Sequence, residues 1–301
     1  MRFKFLIIAV LTLPAYFANG QGCSDAGFCT LNSFKPNNTD SITETKNQFK
    51  VGISYGRADH SILIFGNYLE YNRRLNDKFS FDAKITSLSQ NGNGISVFGL
   101  SDIYLNTNYK ISKKIKLTIG PKIPLTNGNK MKDGLSLPMD YQSSLGTLDI
   151  IFGVGYEFRK IQFVGALQQP LTQNSNAFIA EDYPLDSKLR EFQSTNKFKR
   201  SGDILLRISY PIMLGGKFKI TPSILPIYHL ANDKYSDTLD VEKSISGSQG
   251  LTLNGNAYFD YDINSKNALQ LNVGVPFVVR KTRPDGLTRD LIVTLEYRIK
   301  F

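Results

Sequence analysis

Four aspartates recur in one local setting. Asp102, Asp149, Asp203 and Asp290 each stand at the start of an alternating apolar stretch and are followed by Ile or Leu. Carboxylates gathered at a pore mouth bind a cation or a cationic solute, and oxygen ligands of this kind also suit calcium. The expected use is plainer: each accepts hydrogen bonds from a loop or pairs with a basic neighbour. Bases lie on the same polar faces, with Lys116, Lys122 and Arg207 joined by Lys50, Lys84, Lys110, Lys219, Arg280 and Arg298. Asp82, Glu157, Asp260 and Glu296 nearly balance them. Uncompensated charge in a narrow interior is costly, so cross-strand ion pairs are expected there. A charged constriction that selects ions is the functional alternative.

The chain has two histidines, His60 in a short turn and His229 in Tyr228-His229-Leu230-Ala231-Asn232. Outer-membrane phospholipases carry His, then Ser two residues on, then Asn. Here Ala231 holds the serine position, so the nucleophile of acyl transfer is missing and a lipid hydrolase is disfavoured. Nothing resembles a phosphate loop, a nucleotide fingerprint or a zinc site, so no cofactor is expected. Cys23 and Cys29 follow an export signal, which favours a local disulfide. Two thiols without a nearby His make at most half a metal site. Leu100, Ile151, Val164, Leu225 and Ile227 are apolar residues whose parity points inward.

These residues are spread over twelve segments of period two, from Phe49-Val51-Ile53-Tyr55 to Leu291-Val293-Leu295-Tyr297-Ile299-Phe301. Each segment has one greasy and one polar face, as a strand does. Connections after even segments are short, such as Ser112-Lys113 and Arg159-Lys160. Those after odd segments are mostly long: 89–97, 126–143, 172–199 and 231–249. In the third of these, Leu185, Leu189 and Phe192 have helical spacing, which suggests a short helix over the mouth. Tyr71, Phe79, Tyr109, Tyr156, Phe158, Tyr210, Phe218, Tyr261, Tyr297 and Phe301 flank the short turns on the apolar face. The pattern predicts an all-β fold: a transmembrane antiparallel up-and-down barrel of about twelve strands, with short periplasmic turns, long extracellular loops and an aromatic girdle. Tyr297, Ile299 and Phe301 form an aromatic-ended closing strand of the kind that marks outer-membrane barrels for the assembly machinery.

The amino terminus agrees. Residues 1–20 read as a Sec signal peptide: Arg2 and Lys4, an apolar run from Phe5 to Leu13, and a small-residue exit at Ala18-Asn19-Gly20. Residues 21–47 are polar and irregular, a periplasmic segment or a small plug, and 48–301 form the barrel. The mean hydropathy of −0.20 excludes a bundle of membrane helices but not a barrel, whose interior polarity cancels its apolar exterior. The formal charge is +10, and +8 once Arg2 and Lys4 are removed. With an export signal, that excess points to lipopolysaccharide and membrane lipid, or to an anion-attracting lumen, rather than to nucleic acid.

Three stretches resemble the outer-membrane family named for the meta-pathway of phenol degradation: Gly99-Leu100-Ser101-Asp102-Ile103-Tyr104-Leu105, Ile123-Pro124-Leu125-Thr126-Asn127-Gly128 and Leu145-Gly146-Thr147-Leu148-Asp149. The family has a second Gly where Ser101 stands and a more compact Pro-Thr-Gly at the second stretch. The resemblance spans about residues 98–170 and implies a barrel that moves small hydrophobic or aromatic compounds. Passive passage or binding of a small solute is therefore expected. The alternative is a non-transporting scaffold or adhesion barrel that works through its outer loops.

Overall fold

Segments that are polar on one face and apolar on the other can bury backbone polarity in lipid only by pairing around a closed ring. The computed structural model, which describes residues 28–36, 46–287 and 289–301, shows that ring. Its strands are β1 (Asn47–Arg57), β2 (Leu63–Arg74), β3 (Phe79–Gly92), β4 (Ile95–Lys110), β5 (Ile115–Pro124) and β6 (Asp149–Phe158). They continue as β7 (Ile161–Pro170), β8 (Asp203–Ser209), β9 (Phe218–His229), β10 (Gly250–Asp262), β11 (Asn267–Val278) and β12 (Leu291–Lys300). Each pairs antiparallel with the next, and β12 closes on β1 with Phe49 opposite Ile299. Asn47 and Phe301 exchange N–H···O bonds of 3.1 and 3.0 Å at the seam. The twelve barrel strands therefore leave no free edge in the ring.

The faces are inverted relative to a soluble barrel. Ile53, Phe65, Ile119 and Ile224 point outward and are 45–54% exposed, whereas Glu70, Asp149 and Thr221 are buried inside. That apolar exterior is the lipid-facing surface of a membrane barrel. Phe79, Tyr156, Phe158, Tyr210, Tyr261, Tyr297 and Phe301 are exposed near the turn end and form the expected girdle. The short turns are locally encoded: the side chains of Asn76, Ser112 and Asn264 accept backbone N–H bonds from residues two and three further on.

Several expectations are corrected. Residues 89–97 are not a long loop: β3 and β4 run on to a two-residue turn at Asn93-Gly94, both with positive φ (51° and 74°). Asn-Gly is the pair that such a turn demands. Leu100 points outward and is half exposed, because Ser101 and Asp102 are both buried opposite the single Thr86. This bulge flips the parity of the outer half of β4. Lys110 is exposed at the turn end, and Arg280 lies in the last loop rather than on a strand. Between Pro184 and Phe192 there is a single 3-10 turn, Lys188–Glu191, with Leu189 buried and Leu185 exposed.

Residues 1–20, expected to be a signal peptide, lie outside the described residues. Of the segment 21–47, read as a periplasmic segment or a small plug, the described residues 28–36 sit inside the barrel, and Leu31, Phe34 and Lys35 are buried there. Across the outer mouth the long loops pack on one another. Leu137, Tyr141, Phe178, Leu189 and Phe192 join Ile62 and Ile64 at the barrel rim, and Met139, Leu145, Phe198, Ile245 and Leu287 form a second cluster.

Candidate functional site

The interior has two unlike walls. One is apolar: Tyr104 on β4, Ile151 on β6, Val164 and Ala166 on β7, Leu205 on β8 and Leu225 on β9 are all buried in one cluster, with Ile227 against it. The other is ionic and built from β12, β1, β2 and β3, joined by Lys219 of β9 and Asp260 of β10. There Lys50 meets Glu70 at 3.2 Å, and Asn72 donates to Glu70 and Asp82 at 2.8 Å each. Arg298 bridges Glu296 (2.5 Å) and Asp260 (3.1 Å), and Lys219 meets Asp260 at 3.2 Å. Lys84 lies over the ring of Tyr68, 4.2 Å from its centre.

Residues 28–36 fill the space between the walls, and their side chains sort by polarity. Cys29, Leu31 and Phe34 belong to the apolar cluster. On the other side Thr30 accepts from Lys84 (2.6 Å) and Asn32 accepts from Lys50 (2.6 Å). The Ser33 hydroxyl lies 2.8 Å from Asp82, and Lys35 meets Glu296 at 2.8 Å. Tyr68 also donates to Glu296, and Arg207 donates to the carbonyl oxygen of Phe34. The segment is thus a plug, amphipathic in a way that matches the two walls. The sequence left a small plug open as an alternative, and the signal that favours it is the apolar set Cys29, Leu31 and Phe34 in an otherwise polar stretch. Cys29 is disulfide-bonded, and Cys23 lies outside the described residues.

Below the plug, at the turn end, lies a cavity of about 340 Å³ bordered by Lys35, Lys78, Lys110, Lys113, Lys114 and Lys116 against Asp77 and Glu157. It reaches up to Val164, the lower edge of the apolar wall. Above the plug, a void of about 10 Å³ separates Asp102 and Ser144 from Asp285 and Arg289 under the loop lid. That is room for about one water.

The four aspartates do not form an open ring. Asp102 accepts from the Ser101 hydroxyl (2.9 Å) and the Ser144 hydroxyl (2.7 Å). Asp149 meets Lys122 at 2.9 Å and also accepts from Gln168. Asp203 meets Arg200 at 2.5 Å and His229 Nδ1 at 2.7 Å. The Asp290 backbone N–H donates to Arg57 at 2.6 Å. Lys122 and Arg207 are buried, and Lys116 is half-buried on the cavity. Among the described residues no group of three metal-ligating side chains is found.

His229 Nε2 faces Asp233 at 2.8 Å, so both ring nitrogens are held by carboxylates and neither faces a hydroxyl. Arg280 meets Asp285 at 2.8 Å, and Arg200 lies 3.5 Å from the same carboxylate. Against the penalty of burial, Arg280 and Arg200 hold the Asp285 carboxyl well below its ordinary range. This network ties three loops to the rims of β8 and β9. Tyr297 is exposed outward and donates to Asn267 at 2.8 Å, Ile299 is partly buried, and Phe301 is exposed.

Fold and interior define a transmembrane antiparallel barrel whose lumen holds residues 28–36. Comparison with solved structures agrees on the fold. An outer membrane channel from Pseudomonas putida F1 superposes with a TM-score of 0.60, at 10% identity, over 89% of this chain and 100% of that one. A FadL homologue from Pseudomonas aeruginosa (0.45, 9% identity, 94% and 100% covered) and the NanC porin (0.46, 8% identity, 84% and 98% covered) are more distant. No family model and no curated protein matches the chain in sequence.

Proposed function

We propose that the protein is a bacterial outer-membrane channel for small solutes, closed at rest by its own segment 28–36 and by the loop lid. The observation that carries this is the sorted fit of the plug. Barrel side chains fill a bore of twelve strands only in part, and residues 28–36 take the rest of the space. A segment joined to β1 at one end, and seated by many modest contacts, can leave as a unit. Membrane lipid and lipopolysaccharide surround such a barrel, and the assembly machinery would insert it through the closing strand. The resemblance over residues 98–170 and the apolar wall both favour small apolar or aromatic cargo. The packed lid is the observation that favours the rival, a scaffold that acts through its outer loops.

Planar-bilayer conductance separates the two. The wild type is expected to be almost silent. Leu31→Ala with Phe34→Ala removes two buried side chains, each worth roughly 2–5 kcal/mol of seating. Combined with Phe178→Ala and Phe192→Ala in the lid, it is expected to conduct steadily. A combined variant that stays silent while migrating as a folded, heat-modifiable barrel would favour the scaffold.

A further inference from the structure

We propose that the place now taken by Phe34 is a binding site for arylalkanoates, an aromatic ring joined by a short chain to a carboxylate, with Arg207 holding the carboxylate. This rests on the channel reading above and names its cargo.

Arg207 is the starting point. It projects inward from β8, is 1% exposed, and stands opposite Val164 of β7 in the ladder. Three other buried bases of the lumen have acids: Lys50 has Glu70, Lys122 has Asp149, and Lys219 has Asp260, while Lys84 is held by the Thr30 hydroxyl and the Tyr68 ring. Among the described residues Arg207 has no carboxylate partner. Its partners are the Phe34 carbonyl oxygen and, 5.8 Å away, the face of Tyr258. Its Nε finds no acceptor. A guanidinium is a planar fork that suits a carboxylate with two parallel hydrogen bonds, and a single carbonyl oxygen uses only part of it. Burying that charge is costly unless something more than the plug's carbonyl is meant to meet it.

The slot beside Arg207 is shaped for a ring. The ring of Phe34 packs on Gly153 of β6, so closely that a Cβ at Gly153 would stand 2.2 Å from one ring carbon and 2.6 Å from another. Ala166 forms the adjoining wall. Phe34 therefore offers the wall a phenyl ring, two saturated carbons (Cβ and Cα) and an acyl oxygen on Arg207. That is the skeleton of 3-phenylpropanoate, with an amide in place of the second carboxylate oxygen. The plug occupies the site as a weaker mimic of the ligand. A true carboxylate supplies the second oxygen and the negative charge that Arg207 lacks. The approach fits too: the lysine-rich cavity below the plug attracts anions and ends at Val164, opposite Arg207.

The test is calorimetric titration of the full chain in nanodiscs, carrying Leu31→Ala and Phe34→Ala to vacate the slot. The probes are 3-phenylpropanoate and its neutral isostere 3-phenylpropanamide. A charge-assisted hydrogen-bonded pair predicts that the acid binds ~10- to 100-fold more tightly than the amide. Arg207→Gln should erase that preference and leave the amide's affinity in place. Arg207→Lys, which keeps charge without the fork, should retain part of it and serves as a second variant if the Gln form does not fold. Equal binding of acid and amide, no binding of either, or a preference that survives Arg207→Gln would overturn the assignment. Steady conductance of the combined plug-and-lid variant with no acid preference would sink this inference alone. Tight acid binding with a silent combined variant would sink the channel reading and leave the site standing.

Discussion

Gly153→Ala should unseat the plug without altering a single plug residue. The added methyl would sit 2.2 and 2.6 Å from two ring carbons of Phe34, whereas carbon contacts settle near ~3.5–4.0 Å. The ring must therefore retreat by more than about 1 Å, and Ala166, 3.3 Å from the same methyl, gives it no easy alternative. Phe34 is 1% exposed in its seat. Losing that burial costs roughly 1.5–3 kcal/mol. At tenfold per ~1.4 kcal/mol, the unseated fraction should rise about 10- to 150-fold. The barrel itself should not suffer, since Ala is favoured over Gly inside a strand by roughly 0.5–1 kcal/mol. Hydrogen exchange of the peptide covering 28–36 reads the change directly, because the Phe34 and Lys35 amides are bonded to the Leu31 carbonyl when seated. Exchange there should accelerate by that factor while β6 and β7 stay protected. In a Phe34→Ala background the same substitution should add little, as expected for two lesions of one contact. Unchanged exchange in the single variant, with the barrel intact, would refute the seating of Phe34 on Gly153.

Two further outcomes are expected. Burial, with the Asp59 and Asp285 carboxylates nearby, pushes the Asp140 carboxyl in the lid up to about 7 from an ordinary 3.8. Between those values the folded lid keeps a proton that the unfolded chain has released, so lid stability falls as pH rises from about 4 to about 7 and is level above. Asp140→Asn should flatten that slope and protect the lid at pH 8, measured by exchange of the 137–145 peptide at several pH values; an unaltered slope would count against the assignment. Deleting Phe301 removes the two seam bonds to Asn47, worth about 1 kcal/mol each, and the aromatic end of the closing strand. Yields of heat-modifiable barrel in the outer membrane should drop by more than that modest stability loss explains, and normal yields would remove its assembly role.

Most of the barrel was legible because its causes are local. Period-two alternation sets the faces, and turn chemistry at Asn76, Ser112 and Asn264 sets the short connections. The error at 89–97 was of the same local kind: Asn93-Gly94 is a hairpin signal that the polarity of its flanks concealed. Leu100 failed differently. A bulge adds one residue at Ser101-Asp102, and no alternation count can sense an insertion that shows only against the partner strand. The candidate site was half visible. Ile151, Val164, Leu225, Lys122, Asp149 and Arg207 all face the interior as parity requires. Which acid meets which base was not, because cross-strand neighbours depend on stagger.

The sequence alone determined a membrane barrel that closes on its last strand, since periodicity, turn length and aromatic placement act over a few residues each. The tertiary structure alone decided what stands in the lumen. Leu31, Phe34 and Lys35 carry no periodic signal, and their place follows from an apolar wall and a charged wall assembled from strands far apart in the chain. Arg207 likewise is one inward base among several until the ladder leaves it, among the described residues, facing a carbonyl instead of a carboxylate. Burial and long-range pairing create that difference, and neither is written in any short stretch of residues.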